Sequence, residues 1–213
     1  MGDMLIGSSF LSNMVSTHTY DHIFNKMLSS VEWHPNGNLV VIGSRGGDVS
    51  CVDHNTRSVR LCSRGGGRGQ QITDIKFDRL DTNWFYTSST SGKLIKQRLD
   101  GREDIVLLDS YVCEEFYSSC RFSCLDVCSD RKLLIAGDSK GFIHLVPSCE
   151  STKSDVNTNG LSLQIHSSNV LHTEFNKFNT NLFITASIDC TAKLWDIRRL
   201  DNKSCKPVLT IRQ

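Results

Sequence analysis

The sequence lacks any apolar run of the roughly 18 residues that a membrane-spanning helix needs, so we predict no membrane span. It also lacks an excess of either charge, because 24 lysines and arginines balance 23 aspartates and glutamates. Any nucleic-acid surface must therefore come from local clustering rather than from net charge. The N-terminal stretch has neither a basic segment nor a long apolar segment, and we predict no secretory signal.

Nine cysteines are present, and without a secretory signal they indicate free thiols in a reducing compartment. Those at 51, 124, 128 and 190 lie in strand-like runs, where cysteine behaves as a small apolar residue. A cluster in the middle of the chain consists of Cys113, Cys120, Cys124 and Cys128. It contains no Cys-x2-Cys pair, the short spacing that tetrahedral zinc sites usually show. We therefore predict no metal and no cofactor.

A repeat runs along the chain. Four segments align without gaps, at 43–53, 88–98, 137–147 and 186–196. Their fifth positions are Gly47, Gly92, Gly141 and Cys190, which lie 45, 49 and 49 residues apart. Each segment follows an apolar run and has the pattern of a strand, a tight turn and a second strand. Glycine suits the positive φ of such turns, and in the last segment we expect Asp189 to permit the turn.

This period is typical of the four-stranded blades of a β-propeller. We predict an all-β protein, a WD-repeat β-propeller with about four blades, preceded by a short helical segment over residues 1–27. The propeller occupies 28–213, with blades at about 28–63, 70–109, 121–165 and 168–213. WD-type repeats typically form seven-bladed rings, and four unclosed blades would expose strand edges. We therefore expect these to be four blades of seven.

The last blade contains a polar set typical of WD repeats. His166, Ser187, Asp189 and Trp195 have the order and spacing of the structural tetrad, whose members hydrogen-bond in series. Such a buried chain is stable only when every member is satisfied. Serine, histidine and aspartate also suggest a catalytic triad, but no Gly-x-Ser-x-Gly elbow is present. We predict a protein that is not an enzyme, and we expect its other three blades to rely on apolar packing.

Basic residues are expected to gather on one face of the propeller, where the turns between second and third strands open. They are Arg45, Arg64, Arg68, Arg121 and Lys140. The glycines at 65–67 and 69 would let the backbone approach a phosphate while the arginines supply charge. On the residues alone, an ordinary solvated loop is the simpler interpretation. No P-loop motif is present.

The opposite face is expected to carry Arg198, directly after the Trp195-Asp196 pair. A guanidinium at a fixed strand end can form paired hydrogen bonds to a carboxylate or to carbonyls. Arg198 on its own is equally consistent with simple exposure. In the N-terminal segment, apolar residues at helical spacing predict two short helices that either enter a partner's groove or pack on the propeller. The residues that would form this contact are Phe10, Leu11, Tyr20 and Phe24.

From Phe10 onward the chain resembles the damage-specific DNA-binding protein 2 family, the WD-repeat small subunit of the ultraviolet-damaged-DNA-binding complex. Four stretches carry the resemblance and are similar to the first four blades of that family: SSVEWHPNGNLVVIGSRGGDV, ITDIKFDRLDTNWFYTSSTSG, SCLDVCSDRKLLIAGDSKGFIHLV and TEFNKFNTNLFITASIDCTAKLWDIRRL. The resemblance implies a nuclear protein that recognises damaged duplex DNA, with nucleosomes as a further candidate partner. It also implies the substrate receptor of a cullin–RING ubiquitin ligase, held through the adaptor damage-specific DNA-binding protein 1.

The resemblance also assigns roles to individual residues. It implies DNA contact by Arg45 and Arg68, and adaptor contact by Trp195, Asp196, Arg198 and the N-terminal segment. Two departures count against DNA binding, because Ser167-Ser168-Asn169 stands where the family has lysines and Arg121 where it has an aromatic. The lesion-probing aromatic wedge of the family comes from a later blade than these four. The alternative is a related nuclear WD-repeat scaffold that binds chromatin or peptides without lesion specificity.

Overall fold

A computed structural model describes residues 26–63, 70–110, 120–148, 160–200 and 205–212. These ranges contain sixteen strands in four antiparallel sheets of four strands each. The first sheet is β1 (Leu28–Trp33), β2 (Leu39–Ser44), β3 (Val49–Asp53) and β4 (Val59–Ser63), and the second is β5 (Ile72–Phe77), β6 (Trp84–Ser89), β7 (Lys93–Arg98) and β8 (Asp104–Asp109). The third is β9 (Phe122–Cys128), β10 (Leu133–Asp138), β11 (Phe142–Pro147) and β12 (Leu161–Gln164), and the fourth is β13 (Val170–Phe175), β14 (Leu182–Ser187), β15 (Thr191–Asp196) and β16 (Leu209–Arg212).

Each sheet is a simple meander, because strands that are neighbours in sequence are neighbours in the sheet. The first strands of the sheets, β1, β5, β9 and β13, lie side by side in that order. The four sheets are therefore successive blades around an axis that the first strands line. The predicted fold, an all-β WD-repeat propeller with about four blades, is confirmed. The helical segment predicted over 1–27 lies outside the described residues except for Lys26 and Met27.

Apolar side chains between neighbouring blades form the core. Val41, Ile72 and Phe85 are buried between the first and second blades. Equivalent layers contain Tyr86 and Leu125 between the second and third blades, and Ile135, Phe183 and Trp195 between the third and fourth. Burying one such side chain stabilises the fold by about 1.5–3 kcal/mol. Each blade therefore depends on its neighbour for stability.

Buried carboxylates also join the inner strands. The Leu125 N–H donates to Asp74 Oδ2 at 3.0 Å, and the Phe175 N–H donates to Asp126 Oδ2 at 2.7 Å. Each bond crosses from one blade to the next. Burial raises the pKa of both aspartates, against the effect of these bonds. These two bonds fix the position along the axis of the third blade relative to the second and of the fourth relative to the third.

The hairpin turns have the positive φ that the repeat predicted, at Gly47, Gly92, Gly141 and Cys190. Gly141 is tightly constrained, because a Cβ there would lie 2.2 Å from the carbonyl oxygen of His166. In the fourth blade the left-handed residue is Cys190, with φ of 62°. Asp189 supports this turn as expected, because its Oδ1 accepts the Thr191 N–H two residues on at 3.0 Å.

The other blades pack through apolar layers as expected, and the second and third blades also contain buried polar contacts. The buried Gln97 of the second blade donates to Ser63 Oγ at the end of the first blade at 2.6 Å, and Ser63 donates to Asp104 of the second blade at 2.5 Å. The third blade buries Asp138 against His144. In the aligned hairpins Gln97 stands where the fourth blade has Trp195, and Asp138 and His144 stand where it has Ser187 and Lys193. The tetrad pattern misses these contacts because the residue types differ from those of the tetrad. Neither of the short 3₁₀ helices in the described ranges, Ser129–Arg131 and Ile197–Arg199, has the length to cross a membrane.

Candidate functional site

The meander gives the propeller two distinct faces. The turns between second and third strands, at 45–48, 90–92, 139–141 and 188–190, open on the face that also carries the links between blades. We call this the turn face. The other connections within each blade, such as 34–38, 54–58 and 197–208, open on the opposite face, which we call the loop face.

Three of the predicted basic residues lie on the turn face. Arg45 is exposed directly after β2, and its backbone N–H donates to the Met27 carbonyl at 2.8 Å. Arg121 is exposed just before β9, and its carbonyl accepts the Ser139 N–H at 3.0 Å. Lys140 stands at the tip of the adjacent β10–β11 turn. The structure thus brings Arg121 and Lys140 together on the third blade, with Arg45 on the first. Arg64 and Arg68 lie outside the described residues.

A fourth basic residue, Lys26, was not predicted for this face. A Cβ on Gly46 would lie 2.4 Å from Lys26 Cδ, so the lysine stem crosses the β2–β3 turn beside Arg45. The stem fits there because Gly46 has no side chain. Lys26 precedes the first strand and has no place in the repeat, which is why the spacing gave no signal for it.

The polar set of the fourth blade is centred on Thr185. The Trp195 indole N–H donates to Thr185 Oγ1 at 2.9 Å, and Thr185 Oγ1 lies 2.8 Å from His166 Nε2. His166 Nδ1 lies 2.8 Å from Asp189 Oδ2. Because Thr185 accepts from Trp195, its hydroxyl proton is available for Nε2. That assigns the imidazole proton to Nδ1, where it faces Asp189.

The predicted tetrad residue Ser187 is therefore wrong, and Thr185 takes its place. Ser187 Oγ donates to the Ser168 carbonyl and accepts the Asp189 N–H, both at 3.1 Å. Both hydroxyls point to the same side of β14, since they are two residues apart. Trp195 pairs with Phe183 and reaches the diagonal neighbour Thr185. Ser187 stands at the strand end, where the turn uses its hydroxyl.

The hydrogen bonds around His166 and Asp189, together with their burial, determine the charge of both side chains. Burial lowers the pKa of His166, although Asp189 acts in the opposite direction. Burial acts to raise the pKa of Asp189, but hydrogen bonds from Thr191, His166 and the Ser167 N–H outweigh it and hold that pKa well below its usual range. At neutral pH the pair is thus a neutral imidazole and a carboxylate, and both of their polar groups are used within the blade.

On the loop face, Asp196 orients Arg198. Asp196 caps the 3₁₀ helix by accepting the Arg198 N–H at 3.0 Å, and its two oxygens accept Nε at 2.9 Å and Nη2 at 2.6 Å. Hydrogen bonding from Arg198 lowers the pKa of Asp196 to about 2. The Arg198 side chain is 64% exposed. Two of the five guanidinium N–H groups donate to the Asp196 carboxylate. The other three remain available to a partner at the surface.

The predicted adaptor contact of Trp195 is wrong. Its indole is 1% exposed and stacks on Phe183 with ring centroids 6.3 Å apart. Asp196 is 7% exposed and acts through Arg198. Arg198 is thus the member of this group that is placed for contact. The predicted contacts of Phe10, Leu11, Tyr20 and Phe24 lie outside the described residues.

A cavity of about 560 Å³ lies along the axis, lined by residues of all four first strands. One residue from each strand stands at the same level, at Glu32, Lys76, Asp126 and Glu174. Lys76 Nζ is 3.9 Å from Glu32 Oε2. Burial raises the pKa of Glu32 and Asp126. Three carboxylates stand beside Lys76 at this level, and Arg79 and Lys177 also line the cavity, so its wall has mixed charge and does not continue the basic surface.

The fold and its repeated hairpins are those of the WD-repeat β-propellers. A family model described as "WD domain, G-beta repeat" matches residues 14–53 and 158–196. Over most of its length the chain is similar to DNA damage-binding protein 2, which confirms the resemblance read from the sequence. The Gallus gallus relative is 32% identical over 184 residues, which are 85% of this chain and 35% of the relative. The Bos taurus relative is 30% identical over 202 residues, which are 92% and 44%. The chain spans well under half the length of these relatives.

Proposed function

We propose that the protein binds damaged duplex DNA through the turn face of its propeller and acts as a binding protein rather than an enzyme. One observation carries the proposal: the similarity to DNA damage-binding protein 2 covers 85–92% of the chain. That region includes exposed Arg45 and Arg121, which share the turn face with Lys140.

The chemistry of the turn face suits a phosphate backbone. Arginine can form two parallel hydrogen bonds to phosphate oxygens, and lysine supplies a point charge. Such contacts orient a protein on the duplex without reading the base sequence. Arg121 and Lys140 on the third blade and Arg45 on the first would contact separate parts of one backbone. Affinity from these contacts falls steeply with salt.

We further propose that the loop face docks on the adaptor damage-specific DNA-binding protein 1, which would make the protein a substrate receptor of a cullin–RING ubiquitin ligase in the nucleus. The fork between Arg198 and Asp196 supports this, because it holds an exposed guanidinium in one orientation. A preoriented group loses less conformational entropy on binding than a free arginine. Phe10, Leu11, Tyr20 and Phe24 would add an apolar anchor to the same adaptor.

A second candidate is a nuclear WD-repeat scaffold that binds chromatin or peptides without lesion specificity. The link into the fourth blade favours it, because Ser167-Ser168-Asn169 brings no positive charge to the turn face. The Ser168 carbonyl accepts the Ser187 hydroxyl, and the Asn169 carbonyl accepts the Ile188 N–H at 3.0 Å. These two hydrogen bonds hold the link against the β14–β15 hairpin of the same blade.

The affinity for ultraviolet-irradiated duplex, compared with the intact duplex at physiological salt, separates the two candidates. We expect the protein to prefer the irradiated duplex by at least about tenfold, which is modest beside usual specific-to-non-specific ratios. Equal affinity for both duplexes would favour the scaffold. Fluorescence anisotropy with labelled duplexes measures both.

A further inference from the structure

A buried cysteine, aspartate and histidine meet at the turn-face end of the third blade. Cys120 lies two residues before β9, Asp138 ends β10 and His144 lies in β11. All three are buried, with exposed fractions of 3%, 0% and 1%. One ligand-type atom from each, the thiol sulfur, a carboxylate oxygen and a ring nitrogen, lies within 4.8 Å of the others. His144 Nε2 is 3.2 Å from Asp138 Oδ2.

Neighbouring groups hold two of these side chains in orientation. Asp138 Oδ1 accepts the N–H groups of Lys140 and Phe142 at 2.8 and 2.9 Å, which turns Oδ2 toward the cluster. His144 Nδ1 lies 3.0 Å from Ser162 Oγ on β12. A hydrogen bond to one ring nitrogen is the usual way to fix the tautomer and aim the other nitrogen at a metal.

We propose that Cys120 Sγ, Asp138 Oδ2 and His144 Nε2 form a zinc site, with a fourth position for water. Sulfur, nitrogen and oxygen donors in this combination are those that Zn²⁺ accepts in four-coordinate sites. A thiolate and a carboxylate together balance the two positive charges of the ion. The buried site is therefore electrically neutral when loaded, which removes most of the cost of burying charge.

Proton balance is simple for this site. Zinc takes the place of the Cys120 thiol proton, which is released to solvent. When the metal binds, Nε2 gives up the proton that it donates to Asp138 Oδ2 in this structure, and the single proton of the neutral ring then sits on Nδ1, where it faces Ser162 Oγ. Burial and the neighbouring Asp138 raise the pKa of the Cys120 thiol to about 11.

The site joins three separate elements of one blade. Cys120 lies on the link into the blade, while Asp138 and His144 lie on the two strands of its hairpin. Its neighbours Arg121 and Lys140 are two of the basic residues of the turn face. A bound ion would thus fix the link and the hairpin together beneath them. The proposal does not depend on DNA binding, because it rests on the three side chains alone.

Cobalt uptake by the purified full chain tests the site, since Co²⁺ replaces zinc and a cobalt–thiolate bond gives a charge-transfer absorption. We expect the wild type to bind one equivalent with this absorption, and Cys120→Ser to lose it. The matched control is Cys190→Ser, which removes an exposed thiol at the same end of the fourth blade. Zinc should also raise the thermal midpoint of the wild type and of Cys190→Ser, but not that of Cys120→Ser.

A variant that keeps all three ligands provides a second measurement. Ser162→Ala removes only the partner of His144 Nδ1, and we expect zinc affinity to fall by about 10- to 100-fold. Two results would overturn the proposal: a folded wild type that takes up neither cobalt nor zinc, and a cobalt–thiolate absorption that persists in Cys120→Ser. In either case the three side chains form a hydrogen-bonded cluster and no metal site.

Discussion

Thr185 Oγ1 accepts the indole N–H of Trp195 at 2.9 Å, deep between β14 and β15 of the fourth blade. The same hydroxyl lies 2.8 Å from His166 Nε2. The Thr185 hydroxyl thus connects Trp195, which fills the core of the fourth blade, to His166, which lies on the link into that blade. The Trp-Asp end of β15 is fixed by this contact, and with it the position from which Arg198 projects.

Thr185→Val tests the importance of this hydroxyl. Valine keeps the shape but leaves the Trp195 N–H and His166 Nε2 without their partner, and we expect a loss of about 2–3 kcal/mol in the free energy of unfolding. Ser187→Ala is the control and should cost about 1 kcal/mol, since its hydroxyl serves only the turn. Urea denaturation measures both. A larger loss in Ser187→Ala would restore Ser187 as the tetrad member.

Blade four should lose stability in mild acid. Burial lowers the pKa of His166 below its usual value of 6.5, so the unfolded chain takes up a proton before the folded one does. The stability that His166 contributes is complete above pH 6.5 and is lost as the pH falls from there toward the folded-state pKa. His166→Gln should flatten the dependence of the thermal midpoint on pH below about 6.5. An unchanged slope in that variant would contradict the assignment.

The turn at Gly141 should tolerate no side chain. Its φ is 91°, and a Cβ would lie 2.2 Å from the backbone oxygen of His166, so Gly141→Ala combines strain with a clash. Gly37→Ala is the matched control, because φ there is also positive but nothing lies within 4 Å of the added carbon. We expect the control to cost about 1–2 kcal/mol and Gly141→Ala clearly more, from thermal unfolding. Equal losses of stability in the two variants would show that the backbone at His166 moves to accommodate the added carbon.

Arg198→Ala should weaken recovery of the adaptor in co-precipitation. Arg199→Ala is the control, because it removes a neighbouring arginine of the same 3₁₀ helix. Asp196→Asn should also weaken recovery, since it removes the charge that holds the fork. If Arg198→Ala recovers as much adaptor as Arg199→Ala does, the docking proposal for the loop face fails.

Repeat spacing was sufficient to predict the four hairpins and their order, because a propeller blade is a local meander with a fixed turn. It was not sufficient to choose between Thr185 and Ser187, since residues two apart on a strand point to the same side. The Cys120, Asp138 and His144 cluster also escaped, because its members come from a link and two different strands. The sequence also did not predict the place of Lys26 on the turn face, because only the absence of a side chain at Gly46 makes room for it.

The central claim is that the turn face binds the DNA backbone, and the salt dependence of duplex affinity tests it most directly. Each lost phosphate contact lowers the slope of log K against log salt by about 0.9. The chain carrying Arg45→Ser, Arg121→Ser and Lys140→Ser should therefore bind more weakly, with a slope about 2 to 3 units shallower. The charge-matched control carries Arg102→Ser, Lys177→Ser and Lys206→Ser on the loop face and should retain the wild-type slope. Identical slopes for the two triple variants would contradict the account.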